Sequence, residues 1–178
     1  MITGKRILLR AWERPDLDAF MRWFNDPEVT IYLGNAYPAL SSVAEERFIE
    51  SMVEAKNTYC IVTRDEGVLI GNCRLFDVDA TNRSAEIGIV IGEKAYWSQG
   101  YGREVLDLLL EIGFDGLGLN RICLRLVDFN ARGFRAYQAA GFREEGRQRQ
   151  AAFVKSAFHD MILMSVLAEE YRPRKSAG

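Results

Sequence analysis

The stretch from residue 87 to residue 127 constrains the fold of this chain more than any other part of the sequence. It holds an apolar run, Ile87 to Ile91, then a glycine-bearing loop, Trp97 to Arg103, then a helical pattern, Glu104 to Leu117. A run of alternating polarity, Arg121 to Val127, follows it. A strand, a helix and a second strand in this order predict a parallel strand pair joined by a right-handed crossover.

The loop in the middle of this stretch has the features of an anion site. Gly100 and Gly102 let the backbone approach a ligand closely, and the first amides of the following helix point at it with the positive end of the helix dipole. The loop is not a phosphate-binding Walker loop, and Val105 stands where the dinucleotide motif needs its third glycine. It therefore predicts a phosphate or pyrophosphate site, or else a strand-to-helix turn that uses glycine only for its geometry.

The rest of the chain continues the alternation of strands and helices, and we predict one mixed α/β (α+β) domain over residues 7–171. The basic tail, 172–178, is expected to fray. Periodicity, turn residues and capping signals predict strands at 7–12, 58–63, 68–78, 84–91, 121–127, 142–150 and 159–167. The same signals predict helices at 15–24, 42–53, 104–117 and 130–140.

Composition excludes several classes of function. The net charge is −2, so there is no basic footprint for nucleic acid and no polybasic patch for a membrane surface. No apolar run approaches the roughly 20 residues of a membrane span, and no secretory signal follows Met1. These features favour a cytoplasmic protein.

Cysteine and histidine usage argues against a metal centre. Cys60, Cys73 and Cys123 lie in separate apolar runs, as small buried residues would. His159 is the only histidine, so multi-histidine zinc sites are excluded. It is followed by Asp160, but neighbours in a strand point to opposite faces, so we expect a structural hydrogen bond rather than a catalytic dyad.

Three segments together resemble the GNAT superfamily of acyl-CoA-dependent N-acetyltransferases. Gln99 to Gly102 resembles its pyrophosphate loop, and Asn130 to Phe142 resembles its asparagine-to-Tyr-x-x-x-Gly-Phe segment. Leu9-Arg10 with Asp16-Leu17 is similar to the opening of the branch that includes ribosomal-protein and spermidine N-acetyltransferases. The resemblance runs from Ile7 to Tyr171. It implies the GNAT fold, with a mixed sheet of about seven strands, four helices and a splay between the fourth and fifth strands.

The resemblance also implies how acetyl-CoA, the co-substrate, is held. Backbone amides of the loop would bind the pyrophosphate, with charge from the last side chain: Gln99, Gly100, Tyr101, Gly102 and Arg103. The backbone of Ile89, Val90 and Ile91 would pair with the pantetheine arm and could donate to an oxyanion. Asn130 would bond to the arm, cap a helix, or do both. Trp97 stands where the superfamily has Gln or Arg, which implies that one side-chain contact to acetyl-CoA is absent.

Two residues are candidates for the chemistry implied by the resemblance. Tyr137 would be the general acid toward the CoA thiolate, because a tyrosine stays protonated at neutral pH; the alternative is an aromatic that packs on the sheet. Glu86 would be the base, directly or through water, since an acid in an apolar strand is costly unless it is solvated, paired or functional. The alternative is an ion pair of Glu86 with Arg83 or Arg74. Asp77 is a weaker candidate base.

The acceptor is the least constrained part of the prediction. The loop from Leu33 to Pro38 carries no acidic residue for a polycation, and aromatics, including Trp12 and Trp23, are near in sequence. A protein or peptide N-terminus therefore ranks before a small amine such as a polyamine, an amino sugar or an antibiotic. A catalytically weak acyl-CoA-binding module and a nucleotide-binding enzyme are the alternatives. Edge strands and the aromatic loop favour a homodimer.

Overall fold

The computed structural model describes residues 1–33, 47, 51 and 55–171, and within them the strands form one mixed sheet of eight. Their order across the sheet is β1-β2-β3-β4-β5-β6-β8-β7. The strands are β1 (Ile2–Thr3), β2 (Ile7–Arg10), β3 (Thr58–Thr63), β4 (Leu69–Asp79), β5 (Ser84–Ile91), β6 (Arg121–Val127), β7 (Arg143–Val154) and β8 (Ala157–Leu167). All seven predicted strands are present. The prediction missed β1, which is too short to show a pattern, and it ended β7 too early.

Four α-helices accompany the sheet in the described residues: α1 (Leu17–Phe24), α2 (Pro27–Thr30), α3 (Tyr101–Glu111) and α4 (Ala131–Ala140). A π-helical turn over Ile112–Gly116 continues α3. The sequence placed the start of α3 at Glu104, and this was wrong by three residues. Gly100 is the N-cap, at φ +85°, so the last three residues of the predicted loop, Tyr101 to Arg103, belong to the first helical turn. The predicted helix at 42–53 and the tail 172–178 lie outside the described residues, apart from two isolated positions of that helix.

The sheet splays in the middle, as the family resemblance implies. β5 and β6 are parallel, but they pair only at Ser84–Arg121, Ala85–Ile122 and Glu86–Cys123. β5 stays paired with β4 as far as Ile91, and β6 stays paired with β8 along its whole length. The second half of β5 therefore has a free backbone edge toward β6 within the described part of the chain.

Helices cover both faces of the sheet. On one face α3 buries an aliphatic stripe against the strands, and the large side chains involved include Leu106, Leu109, Leu75, Ile87 and Ile122. On the other face α1 buries Phe20 and Trp23 beside Trp12, whose ring meets Phe20 edge-on at 3.7 Å. Each such side chain stabilises the fold by roughly 1.5–3 kcal/mol, so the two layers hold the splayed sheet in place.

An ion pair anchors α1 to the sheet. Arg10 of β2 binds Asp16 through two hydrogen bonds of 2.6 Å, and Asp16 is 5% exposed. The Asp16 carboxylate also accepts from the amide of Glu13 and the thiol of Cys60. Burial alone would raise the pKa of Asp16, but these bonds together hold it below the ordinary value. In the third segment of the resemblance, Arg10 and Asp16 thus form a structural ion pair between β2 and the start of α1.

Among the described residues no helix combines the length and apolar composition needed to cross a bilayer.

Candidate active site

A cleft of about 720 Å³ passes through the splay between β5 and β6. One end is lined by the start of α3 and by α4, including Gly100, Gly102 and Tyr137. The other end lies on the α1 face, where Asn72 and Arg74 of β4 line it with Glu86 of β5, Arg125 of β6 and the bulged part of β7. The splay therefore connects the two faces of the sheet in a single cavity.

The glycine loop presents backbone donors to this cleft. Within the described part of the chain, no acceptor bonds to the amides of Gln99, Gly100, Tyr101 and Gly102, whereas the amide of Arg103 donates to the Gly100 carbonyl at 3.1 Å. A Cβ atom at Gly102 would meet nothing within 4 Å. The loop thus combines unbonded amides, an open approach and the positive end of the α3 dipole, which suits an anion.

The loop is held from the N-terminal end of the chain. Arg6 donates to the Gln99 carbonyl at 3.0 Å, pairs with Glu104 at 3.2 Å, and lies 4.3 Å above the Tyr101 ring. The Gln99 side chain donates to the carbonyl of Ala95. These contacts involve carbonyl groups and side chains and use none of the amides of Gln99 to Gly102, which leaves those amides available.

Arg103 is partly neutralised inside α3. Its guanidinium pairs with Asp107, four residues on, at 3.1 Å, and both side chains are partly exposed. Such a pair contributes only a few tenths of a kcal/mol, so Arg103 remains able to turn toward an anion.

Trp97 takes part in the cleft instead of merely lacking a contact. Its indole N–H donates to the carbonyl of Ile91 at 2.7 Å, which ties the loop to the open end of β5. Arg132 of α4 lies 4.2 Å above the Trp97 ring and 5.3 Å from the ring of Tyr32. The side chains of Ile89 and Ile91 pack against the core under α3, and the third strand residue, Val90, lies on the α1 face.

Two residues of α4 that the resemblance singles out line the cleft. Asn130 is the N-cap, and its Oδ1 accepts from the amide of Gly133 at 2.9 Å. Tyr137, two turns further on, is half-buried and meets Phe142 edge-on at 5.9 Å. Its hydroxyl bonds to no described residue, and burial raises the pKa of Tyr137 to about 12. The Tyr137 hydroxyl is thus protonated at neutral pH and able to donate a hydrogen bond to a ligand.

Glu86 is in an ion pair, but neither predicted partner provides it. Its carboxylate meets Nε of Arg125 at 3.0 Å, and the side chain is 18% exposed. Arg83 instead donates to the Gly118 carbonyl, and Arg74 lies over the Phe76 ring at 4.1 Å. The parallel register brings Arg125 two residues beyond the partner of Glu86, and an unaligned sequence does not reveal that register.

The other two candidate acid–base groups lie away from the cleft lining. Asp77 occupies a bulge of β4 at φ +50° and is exposed. His159 meets Asp128 at 3.1 Å, while Asp160 accepts from the amide of Gln150. The side chains of His159 and Asp160 therefore bond to different groups, as strand alternation predicts, although the backbone amide of Asp160 also donates to Asp128.

The sequence matches the acetyltransferase (GNAT) domain family over residues 6–143. The chain belongs to the GNAT family. It is 30% identical to "Uncharacterized N-acetyltransferase p20" of Bacillus licheniformis over 94% of this chain and 96% of that protein. It is 31% identical over 110 residues to "Putative ribosomal N-acetyltransferase YdaF" of Bacillus subtilis, which covers 62% of this chain and 60% of that one.

A solved GNAT structure agrees over almost the whole chain. The spermidine N-acetyltransferase of Vibrio cholerae, in complex with CoA and spermine, superposes with a TM-score of 0.82 at 26% identity, covering 94% of this chain and 98% of that one. The predicted branch, with its ribosomal-protein and spermidine relatives, is confirmed. The protein is an acetyl-CoA-dependent N-acetyltransferase of the GNAT fold.

The sequence overlooked several residues of this GNAT cleft. Asn72, Arg125 and Arg132 line it, and so does Arg74, which the sequence suggests only as a partner for Glu86. The sequence does contain a signal for Asn72 and Arg74, because strand alternation places these two polar side chains on one face of a mostly apolar stretch of β4. The position of Arg132 above Trp97 depends on how α4 packs, so no local pattern predicts it.

Proposed function

We propose that this GNAT enzyme acetylates the amine of a protein or peptide N-terminus, with Tyr137 as the general acid and Glu86 as the base. One observation carries the proposal: a single cleft joins the unbonded loop amides on one side of the sheet to Glu86 on the other, and Tyr137 lines it. An acetyl donor bound on the α3 face and an amine acceptor bound on the α1 face can therefore meet at the splay.

The residues at the α3 end fit acetyl-CoA, which supplies an activated thioester when bound. The amides of Gln99, Gly100, Tyr101 and Gly102 suit a pyrophosphate, and Arg103 can add charge. The edge of β5 at residues 89–91 pairs with no described strand, although the Ile91 carbonyl accepts from Trp97, and it suits an arm that carries amides, in the manner of an added strand. Asn130 has its Oδ1 occupied as a cap, so its amide nitrogen is the group left for the arm.

The two candidate catalytic groups are suited to opposite proton transfers. Glu86 would take the proton from the amine, directly or through a water, and Arg125 would hold the carboxylate in place. Tyr137 would give its proton toward the leaving sulfur, and its raised pKa keeps that proton in place at neutral pH. A backbone N–H of β5 at residues 89–91 would serve as the oxyanion donor.

Two observations favour a peptide acceptor over a polyamine. Residues 29–44 of the sequence contain no Asp or Glu, although a polycation calls for acidic partners. Of the charged side chains that line the described part of the cleft, Arg74, Arg103, Arg125 and Arg132 are basic and only Glu86 is acidic. The spermidine enzyme of Vibrio cholerae makes a polyamine the second candidate, since the two chains share a fold over nearly their whole length.

Tyr137→Phe tests the proposed mechanism. We expect kcat to fall about 10²- to 10⁴-fold because the general acid is lost, while the dissociation constant for CoA changes less than about twofold. Release of free thiol against peptides, polyamines and amino sugars measures turnover, and calorimetry measures CoA binding. Tyr59→Phe, a half-buried tyrosine that does not line the cleft, is the matched control.

The same measurements separate the alternatives. An unchanged kcat in Tyr137→Phe across the amine panel contradicts the acid role. CoA binding without turnover on any amine favours an acyl-CoA-binding module. Thermal protection by ATP and none by acetyl-CoA favours a nucleotide-binding enzyme.

We also propose a homodimer. β7 is a twelve-residue edge strand, and beside its turn into β8 the rings of Phe153 and Phe158 are 56% and 64% exposed and 4.9 Å apart. An exposed edge strand and an apolar pair both favour pairing with another chain. Sedimentation velocity of Phe153→Ser/Phe158→Ser should show a shift from dimer to monomer, and a monomeric wild type contradicts the proposal.

A further inference from the structure

The α1 face of β4 carries an ordered row of polar side chains at the splay. Asn72 and Arg74 are two residues apart and share this face, and in the register they lie opposite Val90 and Gly88 of β5. Both line the cleft, on the side where Glu86 lies. This wall is distinct from the loop proposed for acetyl-CoA, so it is available to the acceptor.

Arg74 is the uncompensated charge of the wall. Its guanidinium lies 4.1 Å from the Phe76 ring, and it forms no ion pair with a described residue. Gly88 opposite has no side chain, and a Cβ atom there would lie only 3.7 Å from Nε of Arg74. Glu86 is already neutralised by Arg125 at 3.0 Å. The space above Gly88 is therefore bordered by a net positive charge, which favours an anion.

Asn72 supplies an unused acceptor in the same wall. It is 7% exposed, and its Oδ1 is buried without a hydrogen-bond partner among the described residues. A buried carbonyl oxygen without a partner is unfavourable, and native structures rarely leave one unless water or a ligand completes it. Because Asn72 lines the cleft, a ligand N–H can supply the missing bond.

We infer that the acceptor carries a carboxylate close to its reacting amine, with the carboxylate bound by Arg74 and the amine donating to Oδ1 of Asn72. The inference rests on the proposed function and specifies its substrate class. Asn72 lies opposite Val90, four strand residues from Glu86, so the proton of an amine bound there would reach Glu86 through water rather than directly. The carboxylate can come from an acidic side chain at the start of a peptide or from the α-carboxylate of a free amino acid. Residues two apart on a strand are about 6.6 Å apart, so both groups of such a compound can be bound together.

Matched acceptors test the substrate class. Peptide amides that begin with Glu or Gln differ in the side-chain charge, and glycine and glycinamide differ in the α-carboxylate. Because that carboxylate also raises the pKa of the neighbouring amine, the rates of the second pair are compared per neutral amine. We expect the charged member of one pair to have a kcat/KM about 10- to 100-fold higher in thiol release, as a charge-assisted hydrogen bond provides. The pair that shows the preference identifies the source of the carboxylate.

Variants of Arg74 and Asn72 test the assignment of roles. Arg74→Gln should raise KM for the charged acceptor about 10- to 100-fold and leave the neutral acceptor and acetyl-CoA unchanged. Arg74→Glu should shift the preference toward spermidine. Asn72→Ala should lower kcat/KM for charged and neutral acceptors alike, because the amine is common to both. Arg14→Gln, an exposed arginine that does not line the cleft, is the charge control.

Two outcomes would overturn the inference. Wild-type enzyme that uses both members of each pair equally contradicts it, and so does an Arg74→Gln variant that loses both members equally. Turnover without a carboxylate preference contradicts this inference alone and leaves the acetyltransferase function intact. Absence of turnover with every amine contradicts the proposed function as well, so the two failures are distinguishable.

Discussion

The two ends of the cleft present different kinds of polar group, backbone groups at one end and side chains at the other. At the α3 end the polar groups are backbone amides of the loop and the open edge of β5. At the α1 end they are side chains of interior strands, namely Asn72, Arg74 and the Glu86–Arg125 pair. A co-substrate common to a family can be bound by groups that every sequence has, and discrimination among acceptors then falls to side chains that differ between members.

The largest effect is expected for substitution of Glu86, at the α1 end of the cleft. It distinguishes a loss of catalytic rate from a loss of stability. If Glu86 is the base, Glu86→Gln lowers kcat at least 100-fold while CoA affinity stays unchanged. Steady-state thiol release and calorimetry measure the two quantities. Glu144→Gln removes an exposed carboxylate that is also paired with an arginine and serves as control. Retained kcat with a lowered melting temperature would make the Glu86–Arg125 pair structural.

The Arg10–Asp16 ion pair, which anchors α1 to the sheet, should contribute to stability and not to catalysis. Asp16→Ala leaves Arg10 without its partner, and we expect a loss of about 3 kcal/mol in the free energy of unfolding. Because the folded-state pKa of Asp16 lies below its ordinary value, its contribution is present above that value and is lost as pH falls through both. Urea titrations from neutral pH to about pH 2 should show a smaller acid loss in the variant than in the wild type. An equal loss contradicts this role.

Two glycines of the loop offer a matched pair at the α3 end. Gly102→Ala should reduce CoA affinity about tenfold, because a methyl group would occupy the open approach to the amides. It should not lower stability, since alanine favours a helix by about 1 kcal/mol over glycine. Gly100→Ala should instead lower stability by about 1–2 kcal/mol, because φ +85° strains an L-residue. Calorimetry and urea unfolding check both; unchanged CoA affinity in Gly102→Ala contradicts the binding role of the loop.

The smallest expected effect concerns the pH dependence of kcat, in which Tyr137 should not titrate at the pH of an ordinary tyrosine. With a pKa of about 12, Tyr137 stays protonated well beyond its ordinary value of 10.0. The acid form is present below that pKa and is lost only as pH rises through it, so kcat should show no loss from this group at pH 10.0. A pH–rate profile checks this. A halving of kcat near pH 10.0 that disappears in Tyr137→Phe would place the hydroxyl in water.

Local patterns predicted the features that depend on local sequence. Alternation and turn residues located β3, β4, β5 and β6, and the strand–loop–helix order predicted the parallel pair, whereas the splay was implied by the family resemblance. The loop was predictable for the same reason: glycine conformation and helix N-termini act over a few residues. The similarity at Arg10 and Asp16 proved to be a buried ion pair, although no spacing rule connects a strand residue to a helix start.

Contacts that depend on register were beyond the sequence. The pairing of Glu86 with Arg125 requires the offset between two parallel strands separated by α3, and the pairing of His159 with Asp128 requires the packing of β8 beside β6. The predicted start of α3 was too late because Gly100 and Gly102, on either side of Tyr101, disfavour a helix by propensity alone. In the structure Gly100 is the left-handed N-cap, and the helix begins directly after it. The side-chain end of the cleft was therefore the less predictable end.

The position of Trp97 gives the protein an optical reporter. The chain has three tryptophans, and Trp12 and Trp23 are buried between α1 and the sheet at 7% and 3% exposure. Trp97 alone of the three lines the cleft, bonded to the Ile91 carbonyl and covered by Arg132. A molecule that pairs with β5 disturbs the surroundings of this one indole, so intrinsic fluorescence can follow occupancy of the cleft without any label.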